Sequence, residues 1–209
     1  MMRISSFSAA AAAILLFGIV RADDYNPPDW RGQDNTTVQL WEFGDDNPTP
    51  PPDYVSNPFG SPSLEVTGSA PWTIWLANDH GHTGVWKFED YIQVDIPNLD
   101  QQNAYKEIWL QLIMSAERLN ETDPTISAIP GAGPLELIDK QQIDDYYWRA
   151  TYSLTIEPNP ASETIYIQPR DCTLYLDELV IDTICVPEPA TIMLMGLAAI
   201  ALLRKRTGP

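Results

Sequence analysis

The chain has 209 residues, of which 29 are acidic and 12 basic, so its formal net charge is −17 at pH 7. This charge repels phosphate backbones and anionic lipid and leaves no basic patch to release their counterions, which excludes nucleic acids and anionic membrane surfaces as partners. Five of the basic residues lie near the two ends, so the middle of the chain is more acidic still, and it is long enough for one domain with its own core.

The N-terminus has the three parts of a secretory signal peptide. Arg3 supplies a positive charge, residues 9–20 form an apolar run, and a small residue, Ala22, follows at a suitable cleavage position. We therefore predict that residues 1–22 are a signal peptide cut after Ala22, and that the mature protein is exported.

Between the two ends the sequence predicts β-strands and no long helix. Short runs of alternating apolar and polar residues are separated by Pro, Gly, Asn and Asp, a pattern typical of antiparallel all-β domains. The predicted strands are 36–43, 63–67, 72–76, 84–88, 91–96, 106–116, 147–156, 164–168 and 173–184. Nine strands within residues 23–185 predict an antiparallel β-sandwich of jelly-roll type. The proline-rich segment 45–62 and the segment 122–133 are predicted to be loops.

Three predicted strands carry a polar and aromatic face opposite their apolar one. The side chains on this face are Tyr91 and Gln93, Trp109 and Gln111, and Tyr147 and Arg149. Aromatic rings stack on the C–H faces of sugars, while amides and guanidinium groups bind hydroxyls. If the three strands are neighbours, this face is a candidate glycan platform. The alternative is an ordinary solvated sheet face whose aromatic side chains are partly buried under a loop.

The last predicted strand suggests a metal site. Its residues 173–182, Thr-Leu-Tyr-Leu-Asp-Glu-Leu-Val-Ile-Asp, resemble the closing strand of carbohydrate-binding jelly rolls and galactose-binding-like domains. The resemblance implies a structural calcium held in part by an acidic residue of this strand, and Asp177 matches that position. Calcium takes six to eight oxygen ligands, so further ligands are needed, with Glu42 or the acidic turn at 45–47 as candidates. Exposed acids without a metal are the alternative.

Signals for catalysis are weaker. His80 and His82 form a His-x-His pair in a glycine-containing loop, but a zinc site would need a third ligand from elsewhere, and an ordinary turn is favoured. No Gly-x-Ser-x-Gly elbow supports a serine nucleophile. Acidic residues are so numerous that a glycosidase pair is neither indicated nor excluded. We expect the protein not to be an enzyme.

The two cysteines, Cys172 and Cys185, lie near the ends of the last predicted strand. Export permits a disulfide. A straight strand would nevertheless hold the two residues more than about 30 Å apart, whereas a disulfide requires Cα atoms within about 7 Å. The apolar parity shifts near Asp177, which predicts a β-bulge there, but one bulge does not bring the ends together.

The C-terminus has three parts: Pro187-Glu188-Pro189, an apolar run at 190–203, and the basic residues Arg204, Lys205 and Arg206. The apolar run is short: at about 1.5 Å per residue it spans about two thirds of a hydrocarbon core of roughly 30 Å. The basic residues would stay in the cytoplasm by the positive-inside rule, which places the preceding domain outside. The tail, residues 186–209, resembles the PEP-CTERM sorting signal of Gram-negative bacteria, and a plain tail anchor is the alternative.

The resemblance implies that an exosortase and the secretion machinery are partners. It also implies a transient stay in the inner membrane through the C-terminal segment, followed by release to the cell surface or extracellular matrix. The sequence therefore predicts an exported, non-enzymatic envelope or matrix protein that binds exopolysaccharide. A structural or adhesive protein without a defined ligand is the second hypothesis, and a secreted glycan-processing enzyme is the third.

Overall fold

A computed structural model describes residues 24–99, 103–116, 123–131 and 133–187. In these ranges the chain forms β-strands and no helix. The strands are β1 (Thr36–Trp41), β2 (Tyr54–Ser56), β3 (Ser63–Val66), β4 (Ile74–Leu76), β5 (Val85–Phe88), β6 (Ile92–Pro97), β7 (Tyr105–Ala116), β8 (Thr125–Ile129), β9 (Glu136–Gln142), β10 (Trp148–Ile156), β11 (Ser162–Gln168) and β12 (Leu174–Val186).

The strands form two antiparallel sheets that enclose one core. The large sheet has the order β2-β1-β12-β7-β10-β9, and β5, with β4 beside it, also pairs with β12. The small sheet has the order β3-β6-β11-β8. The predicted all-β, antiparallel sandwich is confirmed, while its jelly-roll character stays a prediction.

Strand β12 organises the large sheet. One of its edges pairs with β7, and the other pairs with β5 at residues 174–176 and then with β1 at residues 179–184. Its register against β7 shifts between Leu176 and Glu178, so Asp177 is an extra residue in the strand. The bulge predicted from the shift of apolar parity is confirmed.

Alternation places the core between the sheets, because successive side chains of a strand point to opposite faces. The apolar side chains that meet there are almost fully buried, among them Ile92, Val94, Ile96, Ile108, Leu110, Leu112, Ile165, Ile167, Leu179 and Ile181. The apolar faces of β6 and β7, which lie opposite their predicted polar faces, therefore belong to the core.

All nine predicted strands are present, with ends that differ by a few residues, but three further strands were not predicted. β2 lies in the proline-rich segment and forms an edge, where a missing amide proton is tolerated. β8 lies in the segment 122–133, which was wrongly predicted to be a loop. It buries only Ile126 and Ala128, too few apolar side chains for a clear alternation. β9 is an edge strand with mostly exposed side chains, so it has no apolar face to detect.

No disulfide joins Cys172 and Cys185 in the structure. Cys172 precedes β12 and Cys185 lies near its end, and the bulge does not fold the strand back on itself. The geometric argument against a bridge between them therefore agrees with the structure.

Several predictions lie outside the described residues. These are the signal peptide at 1–22, Glu188 and Pro189 of the sorting motif, the apolar run at 190–203, and Arg204, Lys205 and Arg206. Among the described residues no helix has the length and apolar character needed to cross a bilayer.

Truncation of a core side chain should cost far more than truncation of the same side chain at the surface. Leu110 is fully buried between the sheets, whereas Leu137 on β9 is 42% exposed. We expect Leu110→Ala to lower the free energy of unfolding by about 2–5 kcal/mol. Leu137→Ala should change it by no more than about 0.5 kcal/mol. Urea unfolding of both variants measures the difference, and equal losses would contradict the assigned core.

Candidate functional site

The predicted glycan platform is divided among three places in the structure. β7 and β10 are neighbours as expected, so Trp109, Gln111 and Arg149 share the outer face of the large sheet. β6 belongs to the small sheet, so Tyr91 and Gln93 lie on the other side of the molecule. The assumed adjacency of β6 was wrong, because alternation identifies which face of a strand meets the core but not which sheet contains the strand.

Tyr147 was also predicted on the platform, but it is fully buried. It precedes β10, and its hydroxyl donates a hydrogen bond to Asp79 at 2.8 Å. Its ring stacks on His82 with ring centroids 3.7 Å apart. Tyr147 therefore belongs to a loop cluster and offers no surface to a ligand.

A segment at the start of the described chain covers the outer face of the large sheet. We call residues 24–35 the N-terminal strap. The Asn26 amide N–H donates to Gln111 Oε1 at 2.9 Å, the Asn26 side chain donates to Thr151 Oγ1 at 3.0 Å, and Trp109 Nε1 donates to the Asn26 carbonyl at 2.8 Å. Gln111 retains only 2% exposure as a result. This face therefore matches the alternative to a glycan platform, in which the side chains of the sheet are partly buried under a loop.

A buried ion pair anchors the strap. Arg31 contacts Asp182 through two hydrogen bonds of 2.5 Å and also pairs with Asp24. Asp182 is fully buried on β12, and burial raises its pKa to about 6 although Arg31 acts to lower it. Without the guanidinium group, the carboxylate would have no compensating charge from the strap.

The outer face of the small sheet is the polar and aromatic surface that is not covered by the strap. Tyr91 and Tyr166 pack edge to face with centroids 5.5 Å apart. Gln93 lies opposite Tyr166 in the register of β6 and β11. Asp95 accepts hydrogen bonds from Gln93 at 3.0 Å and from Thr164 at 2.5 Å. We call these five residues, with Glu65 on β3, the small-sheet face.

Sequence reasoning found Tyr91 and Gln93 but missed their partners on β11. Ile165 and Ile167 are fully buried, so alternation directs Thr164 and Tyr166 outward. That alternation is visible in the sequence. The pairing of β11 with β6 is not, because it joins residues far apart in the chain.

A cleft adjoins the small-sheet face at its β3 edge. Its volume is about 660 Å³. Its walls are the rings of Pro50, Pro51 and Pro52, and Asn57, Glu65 and Asp95 contribute polar atoms. Since Glu65 and Asp95 also belong to the small-sheet face, the cleft and the face form one continuous surface.

The two residues proposed for calcium do line a common cavity. Glu42 and Asp177 border a space of ≈ 510 Å³ together with Asp53, His82 and Glu178. Within the described ranges, however, no group of three or more His, Cys, Asp or Glu residues is arranged to hold a metal ion. Asp177 instead contacts His82, with 2.7 Å between Oδ2 and Nδ1.

The Asp79–His82 loop is a tight turn that packs on a second turn. The backbone groups of Asp79 and His82 exchange two hydrogen bonds, and positive φ values at His80 and Gly81 allow this geometry. His80 stacks on Tyr146 with centroids 3.6 Å apart, separately from His82. The two imidazoles thus have different partners, in agreement with the favoured turn.

His82 bridges two carboxylates. Its Nδ1 lies 2.7 Å from Asp177 and its Nε2 lies 2.9 Å from Asp144, so a doubly protonated ring donates to both. Burial acts to lower the pKa of His82, but the hydrogen bonds to Asp144 and Asp177 outweigh it, and the pKa is raised above 6.5. Burial acts to raise the pKa of Asp144, but hydrogen bonds from His82 and two backbone amides lower it overall.

The fold and its surfaces define an acidic two-sheet β-sandwich with one covered and one accessible polar face. The chain carries the PEP-CTERM protein-sorting motif, which matches residues 186–206. This motif indicates an exported protein that is held transiently in the membrane and processed by an exosortase. No curated protein and no solved structure matches the chain.

Removal of Arg31 should destabilise the fold because it leaves Asp182 buried without its cation. We expect Arg31→Ala to lower the free energy of unfolding by about 3–5 kcal/mol. The exposed Arg170 provides the matched control, and Arg170→Ala should change stability by no more than about 0.5 kcal/mol. Urea unfolding compares the two variants, and similar stability would mean that the strap is not anchored by this pair.

The His82 bridge predicts a pH dependence of stability. Because the folded pKa lies above the ordinary 6.5, the contribution of His82 is complete below 6.5 and is lost as pH rises through the raised value. We expect the melting temperature of the wild type to fall over this rise in pH, and His82→Gln to lack this part of the dependence. His80→Gln is the matched control. The same pH profile in His82→Gln and wild type would refute the bridge.

Proposed function

We propose that the protein is a non-enzymatic component of the cell surface or extracellular matrix, and that its small-sheet face binds a hydroxyl-rich polysaccharide. The observation that carries the proposal is the pair of tyrosine rings, Tyr91 and Tyr166, beside the oriented carboxylate of Asp95 on one accessible face. Aromatic rings receive the C–H faces of sugars, and a carboxylate accepts hydrogen bonds from their hydroxyls.

The shape of this surface supports a chain-like ligand. The small-sheet face continues into the proline-lined cleft through Glu65 and Asp95. A polymer can therefore contact the tyrosine rings and the cleft at once. Such an extended surface suits a repeated sugar chain better than a single small molecule.

Charge narrows the class of polysaccharide. The formal net charge of the chain is −17, and the small-sheet face itself carries Glu65 and Asp95. A polymer rich in uronate or sulfate would be repelled. We infer that the ligand is neutral or carries amino groups.

The proposed role does not include catalysis. Asp95 accepts hydrogen bonds from Gln93 and Thr164, which suits a fixed acceptor for a hydroxyl group. The exosortase-sorted tail is consistent with a protein whose role depends on where it is delivered. A structural or adhesive protein without a defined ligand is the second candidate, favoured by the large sheet, whose outer polar face is occupied by the protein's own strap.

Binding of the full chain to the producing organism's exopolysaccharide tests the proposal. We expect Tyr91→Ala and Tyr166→Ala each to weaken binding about tenfold, which corresponds to roughly 1.4 kcal/mol. Tyr146→Ala, an exposed tyrosine outside the face, is the matched control and should bind like the wild type. Affinity electrophoresis in gels that contain a neutral polysaccharide or a polyuronate compares binding to the two classes of polymer, and we expect retardation by the neutral one.

Each outcome separates the candidates. Saturable binding that depends on Tyr91 and Tyr166 supports the small-sheet face. Binding that depends instead on Trp109 would return the site to the large sheet, while the absence of binding would favour the structural role. New reducing ends in the polysaccharide would indicate a glycan-processing enzyme. Loss of binding with a calcium chelator would restore the calcium hypothesis for Asp177 and Glu42.

A further inference from the structure

A cluster of three polar side chains lies within the sandwich and serves none of the surfaces described above. Lys106 on β7 is fully buried, Glu163 on β11 is 1% exposed, and Asn98, just after β6, is 5% exposed. Lys106 belongs to the large sheet and Glu163 to the small sheet, so the cluster connects the two sheets through the interior.

One carboxylate contacts both other members of the cluster. Lys106 Nζ lies 2.7 Å from Glu163 Oε1, and Asn98 Nδ2 donates a hydrogen bond to Glu163 Oε2. Asn98 Nδ2 also donates to the Pro160 carbonyl at 3.0 Å, which orients the amide. Glu163 is therefore placed between an amine and the nitrogen of a primary amide.

Three buried atoms of the cluster, Asn98 Oδ1, Lys106 Nζ and Glu163 Oε1, have no regular hydrogen bond. Asn98 Oδ1 is buried without a hydrogen-bond partner. Lys106 Nζ and Glu163 Oε1 lie 2.7 Å apart, which is a contact between two ionisable groups. Buried polar atoms in folded proteins are normally paired, so an unpaired amide oxygen on a side chain that shares Glu163 with an amine calls for an explanation.

Burial also changes the protonation of the pair. It lowers the pKa of Lys106 and raises the pKa of Glu163, although each group acts to oppose the shift of the other. Both directions favour a neutral amine beside a protonated carboxyl group. A neutral amine is a nucleophile, whereas an ammonium ion is not.

We propose that Lys106 and Asn98 condense to an intramolecular isopeptide bond, with Glu163 as the proton-transfer group. Lys106 Nζ, as the neutral amine, attacks Asn98 Cγ, and the protonated Glu163 gives its proton to Asn98 Nδ2, which leaves as ammonia when the Cγ–Nδ2 bond breaks. The Glu163 carboxylate then takes the proton that Nζ loses, which restores the starting acid. The reaction forms one amide bond, breaks one amide bond and needs neither an oxidant nor a cofactor.

Glu163 qualifies as a catalytic residue because it contacts both reacting nitrogen atoms. General acid–base catalysis requires the catalytic group within hydrogen-bond reach of the proton that it transfers. The enclosed site also holds the amine and the amide together, which replaces a bimolecular encounter by an intramolecular one. The resulting link would join the end of β6 to the start of β7, and so the small sheet to the large sheet.

Peptide mapping of the full chain by mass spectrometry, after denaturation and trypsin digestion, tests the proposal. In the wild type we expect no cleavage after Lys106. The peptide that contains Asn98 and Lys106 should have a mass lower than its sequence mass by one ammonia molecule. Fragment ions should place the link between these two side chains.

Three variants define the mechanism. Glu163→Gln retains the shape of the side chain but cannot transfer the proton, so we expect the full sequence mass and normal cleavage after Lys106. Lys106→Arg removes the nucleophile and should give the same result for the mass. Ser162→Ala, at the exposed neighbour of Glu163, is the matched control and should retain the link. Circular dichroism of each variant verifies that it is folded.

Other results would overturn the proposal. Cleavage after Lys106 at full sequence mass in the folded wild type would exclude the link. Loss of ammonia with normal cleavage would indicate a succinimide at Asn98, and loss of water would indicate condensation of Lys106 with Glu163 itself. A link that persists in Glu163→Gln would remove the catalytic role of Glu163. If Glu163→Gln does not fold, the mass of the wild-type peptide still decides whether the link exists.

Discussion

The bulge at Asp177 in β12 is the constraint on which most of the structure depends. It lets one strand pair with β5 before the bulge and with β1 after it, while the opposite edge stays paired with β7. Asp177, the extra residue of the bulge, contacts His82. The cavity bordered by Glu42, Asp177 and His82 therefore lies where the strand changes partner. Further along β12, the restored alternation places Asp182 on the outer face, where Arg31 of the strap reaches it.

The two sheets use their outer faces differently because only one of them is covered by the chain itself. On the large sheet, the polar groups that alternation directs outward are satisfied by the N-terminal strap, and Gln111 and Thr151 are buried in consequence. On the small sheet, Asp95 is oriented by neighbours within the sheet, and Tyr91 and Tyr166 keep part of their surface accessible. Both sheets thus carry polar and aromatic side chains on their outer faces. Those of the large sheet pack against the strap, whereas those of the small sheet are available to bind a ligand.

The interior between the two sheets is mostly apolar but contains one polar cluster. Aliphatic side chains fill most of the space between the sheets, whereas Lys106, Glu163 and Asn98 bring ionisable and amide groups together at the ends of β6 and β7. Removing such groups from water is costly unless they are fully paired, and Asn98 Oδ1 is not. A covalent link that consumes the amine and the amide would relieve part of this cost, and it would suit a protein that acts outside the cell.

The sequence by itself determined the strands with strong alternation, their core-facing residues, the bulge in β12 and the sorting motif, because each depends on residues close together in the chain. Weakly apolar strands such as β8 and β9 lacked that local signal. Only the tertiary structure decided that β6 and β7 lie in different sheets, that the strap covers Gln111, and that Lys106 meets Glu163. These contacts join residues far apart in sequence, and alternation specifies the face of a strand without specifying its neighbour or what covers it.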